Sequence, residues 1–366
     1  MKSTRIIAPV VAFALLAVAC GGGEAATTTS STSTSTTTTT TAPPVEDTTT
    51  SSSTTSSTTT TTIDDGPIAP LNGLPIDDQT LAERRVIAVK VDNHPEARPQ
   101  SGLEIADAVV EILVESGFTR FIALFHTTDT DYVGPIRSAR PTDPTILKPM
   151  NAVFTISGGQ QWIINYVAAR GIKMIGEVDG TYRISSKPAP HNLYGDTEGL
   201  RSTADARGYS DDFGVPLVEI APWGVMPDET AEQITMSWAT TTLYSWEYED
   251  GRYLRYIGVE NPIPHNYIDR DGNASQISAE VLVVLEGTKY TSYPAAGVAG
   301  NDVPAITTIG SGPAAIFYNG RVMTGTWERS SIDQSFALFG ENGDPMTVPP
   351  GRPWICIFPE HRAVRW

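Results

Sequence analysis

The chain has 366 residues, 40% hydrophobic and 18% charged, with 25 basic against 42 acidic side chains and a formal charge of −17. That length and composition allow one to three globular domains with cores of their own. A negative field of this size repels nucleic acid and anionic lipid head groups, so neither DNA nor RNA is expected as a partner.

Lys2 and Arg5 precede an apolar run, IIAPVVAFALLAVA, that ends in small residues before Cys20. The run is too short to span a bilayer and has the layout of a secretory signal. Cys20 directly follows Ala17-Val18-Ala19, as in a bacterial lipobox, although the usual leucine stands one place early, at Leu16. Residues 1–20 are therefore expected to be a lipoprotein signal peptide, with Cys20 carrying the lipid and holding the protein on the outer face of the cell membrane. An ordinary cleaved signal with a chance cysteine is the other reading.

Residues 21–67 are mostly Thr and Ser, with nothing to bury, and are expected to be a disordered linker. A flexible segment of that length spans roughly 35–40 Å, which sets the body a few nanometres from the membrane. The second cysteine, Cys356, lies in the apolar run WICIF and reads as a small buried hydrophobe.

The first half of the body, residues 68–215, alternates strands and helices. Val86–Val91 is β-branched and alternating, hence a strand that delivers Asp92-Asn93-His94 at its end. Ser101-Gly102 could open a short helix through Ala106. Val109–Val114 and Phe121–Phe125 read as an antiparallel hairpin turning at Ser116-Gly117. Glu111 lies among apolar residues, where an unpaired carboxylate is costly. It either pairs across the strands with Arg120 or belongs to a polar cluster lining a pocket.

Arg137 and Arg140 follow in PIRSARP. Pro141 suits the first position of a helix and Asp143 its third, which would place Arg140 at the N-cap beside free backbone amides. Such amides with two guanidinium groups suit a carboxylate, sulfate or phosphate. Equally, both arginines could bind internal acids such as Glu111 or Glu115. Ser138 between them could act as an activated nucleophile, but no GxSxG or SxxK pattern supports it.

A strand over Val153–Ser157 runs through Gly158-Gly159 into a helix with Trp162, Ile163, Tyr166 and Val167 on one face, ended by Gly171. Lys187-Pro-Ala-Pro-His191-Asn192 holds its backbone extended through two prolines and presents His191 as acid, base or ligand donor. The other reading of His191 is an ordinary loop histidine. A short helix spans 197–207. Asp92 with His94, and His126 with Asp129 and Asp131, offer ligand types, but no familiar metal spacing is present, so no metal and no cofactor is expected.

The order PLNGLP, RPQSGLEIADAVVEILVESGFTRFIALF, GPIRSARP, APHNLY and GTW…PPGRPWICIFP resembles the YerB-like bacterial lipoproteins, a domain family of unknown function. The resemblance covers about residues 68 to 360. It implies a two-part α+β architecture and an envelope location, and it brings no catalytic residues with it.

The second half, residues 216–366, is rich in short strands. Thr242–Glu249 and Arg252–Tyr256 meet at Asp250-Gly251, and Ala314–Tyr318 and Val322–Trp327 meet at Asn319-Gly320, a type I′ hairpin signal. Phe336–Phe339 and Met346–Val348 flank Asn342-Gly343. Glu280–Glu286 and Trp354–Phe358 read as core strands, with Trp327 and Trp354 as core anchors rather than a sugar platform. The expected class is thus α+β, a mixed α/β N-terminal half packed with a mainly antiparallel β C-terminal half.

Glu111 and Glu115, four apart on one strand, would stand about 13 Å apart. A glycosidase pair needs about 5–9.5 Å. The expected function is that of a binding or accessory protein for an anionic group on an envelope polymer or protein, held by Arg120, Arg137, Ser138, Arg140, His191 and Asn192. Two other classes stand beside it. One is a cell-wall hydrolase or transferase using His191 with Glu111 or Glu115; the other is a pure protein-interaction module.

Overall fold

The computed structural model describes residues 66–178 and 180–366. The expectations for the signal peptide, Cys20 and the Thr/Ser-rich linker up to residue 65 lie outside the described residues. Among those described, no helix is long and apolar enough to cross a membrane.

The expected strand after Val86 is β1 (Ile87–Asp92), and the expected hairpin is β2 (Ala108–Leu113) with β3 (Thr119–Phe125). The hairpin turns at Ser116 and Gly117, both at positive φ. All three strands are buried at every position, which is what near-continuous apolar runs require. β4 (Val153–Thr155) and β5 (Lys173–Ile175) add in parallel beside β1. A small hairpin of β6 (Thr181–Arg183) and β7 (Leu193–Gly195) stands apart from this sheet.

The sheet continues into the second half of the chain. Pro353–Pro359 runs parallel to β2 on one side and to Val281–Gly287 on the other. Gly310–Tyr318, Arg321–Arg329 and Ala337–Gly340 complete ten strands. The Asn319-Gly320 turn closes its hairpin with both residues at positive φ, as a type I′ turn demands. Residues on either side of position 215 therefore share one hydrogen-bonded sheet.

A second sheet is built on β8 (Gln233–Ala239), β9 (Thr242–Glu249) and β10 (Arg252–Ile257), with short flanking strands. Its aromatic side chains meet those of the large sheet. Trp246 lies edge-on to Trp354 at 5.3 Å, and Trp238 edge-on to Phe358 at 4.8 Å. Such pairs add about 0.5–1.5 kcal/mol each beyond the area they bury. Trp327 and Trp354 are core residues, and Cys356 is fully buried.

The α+β expectation holds only coarsely, because the described chain is predominantly β around a large mixed sheet. Its helices α1 (Thr80–Glu83), α2 (Asp143–Leu147), α3 (Gln161–Ala168) and α4 (Thr197–Ala206) have four, five, eight and ten residues. The Ser101–Ala106 segment is a turn rather than a helix. Conversely, α4 is well signalled, since the Asp196 carboxylate caps it by accepting from the amides of Glu198 and Gly199.

Candidate functional site

Asp92 ends β1 directly opposite Arg120 of β3. Residues opposed in register point to the same face, so Arg120 Nε comes within 3.7 Å of Asp92 Oδ1. Past the end of β4, the segment after cis-Pro135 runs alongside β1. The Asp92 amide donates to the Pro135 carbonyl at 2.9 Å, and the Arg137 amide donates to that of Lys90 at 2.7 Å. This docking returns the Arg137 side chain to Asp92, where Nε donates to Oδ2 at 2.9 Å. His191 Nδ1 lies 3.0 Å from that same oxygen. Three of the expected site residues thus converge on one carboxylate that the sequence only placed at a strand end.

Asp92 is ringed by cationic side chains. Burial pushes its carboxyl up, but Arg120 and Arg137, together with the His94 amide and His191, hold it below the ordinary aspartate value. Burial, helped by Arg140, lowers the Arg120 guanidinium to about 10, so it remains charged at neutral pH. Arg140 Nε donates to Glu115 Oε2 at 2.6 Å. Burial likewise pushes Glu115 up, and its hydrogen bond and charge contact with Arg140 more than reverse this.

The helix after the arginines begins later than its sequence suggests. α2 starts at Asp143, with Thr142 at the N-cap. The Arg140 amide, which was to be free for an anion, donates at 2.6 Å to Asp143 Oδ2. The other Asp143 oxygen holds Lys90 Nζ at 2.6 Å, with both side chains sealed from water. A lysine inside the β-branched run VIAVKV was the sequence signal for this missed pair. Ser138 contributes its carbonyl, which accepts from Arg120 Nη1 at 2.8 Å. Asn192 stands outside the cluster, its Oδ1 taken by Arg183 at 2.6 Å.

Glu111 does not pair with Arg120. Its register partner is Phe121, one residue on from Arg120, so the pleat sends the two side chains to opposite faces. Glu111 Oε1 accepts instead from Thr119 Oγ1 at 2.7 Å and from Arg255 Nη2 at 2.8 Å, and Oε2 accepts from Trp354 Nε1 at 2.8 Å. With no exposure and both oxygens occupied, this carboxylate is poorly placed to exchange protons with a substrate. Glu115 opens the turn after β2 and is not on the strand, so the one-face geometry expected for the two glutamates does not arise.

A second missed network links this buried pair to the cluster. Arg255 Nε donates to His265 Nδ1 at 3.1 Å, and His265 Nε2 lies 3.1 Å from Gln100 Oε1. Gln100 Nε2 in turn donates to the Asp92 carbonyl at 3.0 Å. Burial, then Arg255, lowers His265 well below the ordinary histidine value, so the ring is neutral and donates from Nε2.

The backbone around His191 is a turn rather than an extended segment. The Ala189-Pro190 peptide is cis, and the His191 amide donates to the Pro188 carbonyl at 2.9 Å. Lys187 Nζ donates to the carbonyls of Ala97 and Pro99, which fastens this turn to the loop after β1. That loop carries His94 and Glu96. Donor atoms of His94, Glu96 and His191 all lie within 4.8 Å of one another. The other ligand types noted in the sequence do not assemble in this way. Asp129 is paired with Arg84 and Arg201, Asp131 with Arg270.

A cleft of about 680 Å³ lies elsewhere, over strands of the second half, lined by Thr324, Phe339 and Trp366 with Glu286, Glu328 and Glu341. It holds none of the residues expected at the site and carries no cation. The Asp92 cluster is instead largely buried, with Arg137 at its open edge. Of its arginine side chains, that of Arg137 is the most open at 24% exposure. Among the described residues its two terminal nitrogens make no hydrogen bond.

The chain matches a family described as "Protein of unknown function (DUF3048)", its N-terminal domain over residues 71–210 and its C-terminal domain over 233–355. It is 38% identical over 300 residues to a Bacillus subtilis (strain 168) protein named "Putative lipoprotein YerB", covering 80% of this chain and 86% of that one. The crystal structure of YerB protein from Bacillus subtilis superposes with a TM-score of 0.68 at 24% identity, over 82% of this chain and all of the other. That likeness establishes a shared fold.

Proposed function

The chain belongs to the DUF3048 family, and from that premise we propose that it is a lipid-anchored extracytoplasmic protein that binds an anionic group of the cell envelope. The relative's name as a lipoprotein supports the anchor, and so does the layout of residues 1–20 with Cys20 as the lipid-bearing residue. On this reading the Thr/Ser-rich segment is a tether that lets the body search the surface of the membrane and wall.

The observation that carries the binding proposal is Arg137. It spends only Nε on Asp92 and keeps two N–H₂ groups toward solvent, in the geometry that accepts a carboxylate or phosphate. Around it, four cations (Lys90, Arg120, Arg137 and Arg140) face three carboxylates (Asp92, Glu115 and Asp143). With Glu96 beside His191 the charges balance, so the open Arg137 is what an anion would meet.

Retention of the full chain on an isolated anionic wall polymer, against a neutral one, tests this. Arg137→Ala should lower retention about tenfold or more, with added salt acting in the same direction. Equal retention of the two proteins would overturn the proposal.

A further inference from the structure

Beyond anion binding, and at the other side of the same Asp92 carboxylate, we propose that His94, Glu96 and His191 form a site for one divalent transition-metal ion of the zinc class. Three observations carry it. The first is spacing. With Zn–N and Zn–O bonds of about 2.0–2.2 Å, two ligands at a tetrahedral angle stand roughly 3.3–3.6 Å apart. His191 Nε2 is 3.5 Å from Glu96 Oε2, and His94 Nδ1 is 3.8 Å from that same oxygen. The imidazole centroids are 5.4 Å apart. The three donor atoms lie within 4.8 Å of one another, so they would close in around an ion.

The second observation is the state of the donors. His191 Nδ1 is 3.0 Å from the Asp92 carboxylate and donates its proton there, which leaves Nε2, on the Glu96 side, as the nitrogen a metal would take. A carboxylate behind the non-ligating nitrogen is the usual companion of a metal-bound histidine, because it fixes the ring and raises its basicity. Asp92 is itself held in place by Arg120 and Arg137. His94 Nδ1 accepts a long 3.3 Å bond from the Glu96 amide, so its lone pair lies on that side. The metal would replace that weak contact.

The third is support from the surrounding chain. Lys187 ties the loop bearing His94 and Glu96 to the turn bearing His191. Phe118 sits edge-on against the His94 ring at 4.9 Å. His191 is buried while Glu96 is 74% exposed, so an ion can enter from solvent. Three protein ligands leave the fourth position open, as in zinc sites that exchange water or substrate rather than structural ones. No linear motif announces the site, since its third ligand comes from a distant loop.

Zinc titration of the untagged full chain, read by calorimetry and by competition with a chromophoric chelator, tests the assignment. Co²⁺ then reports geometry through its visible absorption. The expected result is one equivalent of Zn²⁺ and a tetrahedral Co²⁺ spectrum. His94→Ala and Glu96→Gln each weaken Zn²⁺ binding by about 100-fold or more. Both side chains reach solvent, so the metal-free variants should keep the parent circular dichroism and melting temperature. If either loses its fold, His191→Gln is read in its place. Absence of stoichiometric binding would overturn the proposal, and so would binding that survives both substitutions unchanged.

Discussion

Glu111 and Arg255 stand 144 positions apart in the chain, yet their side chains meet at 2.8 Å with no solvent access to either. The guanidinium is enclosed by Tyr244 at 4.0 Å, Trp246 at 4.9 Å and Trp354 at 5.0 Å. The pair is thus a rivet between the large sheet and β10. Removing one partner leaves a buried charge, which costs about 3–5 kcal/mol. Glu111→Gln and Arg255→Met should each lose stability on that scale in denaturant unfolding. The double variant should lose clearly less than the two losses added, because neither charge is then stranded.

Arg137 and Arg120 touch the same carboxylate but should behave differently when deleted. Arg120 is nearly buried and also holds the Ser138 carbonyl. Arg120→Ala should therefore cost about 3–5 kcal/mol. Arg137 is more open and leaves Asp92 with Arg120 and His191 as partners. Its removal should change stability by less than about 1 kcal/mol while abolishing most anion retention. Thermal melts beside the retention assay check this. A large loss of stability in Arg137→Ala would make that residue a structural strut.

The contrast between these pairs also marks what a single sequence discloses. The hairpins at Ser116-Gly117, Asp250-Gly251 and Asn319-Gly320 were legible because turn chemistry is local and a positive φ restricts the residue choice. The convergence of Arg137 and His191 was half legible. Proline-flanked cations signal a presented site, but the carboxylate between them comes from another strand. The partner of Glu111 is not legible, because alternation fixes a side chain's face only once register is known, and register separates it from Arg120. Arg255 was invisible for a similar reason, since nothing local says which strand will cover the Glu111 face. The insertion of Pro353–Pro359 between β2 and Val281–Gly287 is equally non-local.

His126 gives the protein a specific acid sensitivity. Its ring is buried against Phe213 with both nitrogens unpartnered, and burial lowers its value from 6.5 to about 4. Between those values the unfolded chain binds a proton that the folded one does not. Stability therefore rises with pH across that window and is lost as pH falls from 6.5 toward 4. The full effect is at most roughly 3 kcal/mol. Unfolding free energies measured from pH 7 to 4 should show this slope, and His126→Leu should flatten it while leaving stability near pH 7 largely intact.

Asp143 is the hinge pin of the arginine segment, and its removal makes the last prediction. One oxygen neutralises Lys90 in the core, and the other accepts the Arg140 amide. Even with this partner, burial lowers Lys90 to about 8 from its ordinary 10.5. Asp143→Asn would leave the ammonium enclosed without a counter-charge, so about 3–5 kcal/mol should be lost at pH 7. The pH dependence identifies the cause. Above the folded value and below 10.5, the unfolded lysine holds a proton that the folded one has released, so stability rises with pH in that window. Because a neutral amine is tolerated in the core, the deficit of Asp143→Asn should shrink as pH is raised from 7 to about 8, where the wild-type lysine also releases its proton, and level off above that. A Lys90→Met/Asp143→Leu double variant should recover much of the loss and show no such pH dependence. A deficit that stays constant with pH would instead assign the damage to the lost bond from the Arg140 amide.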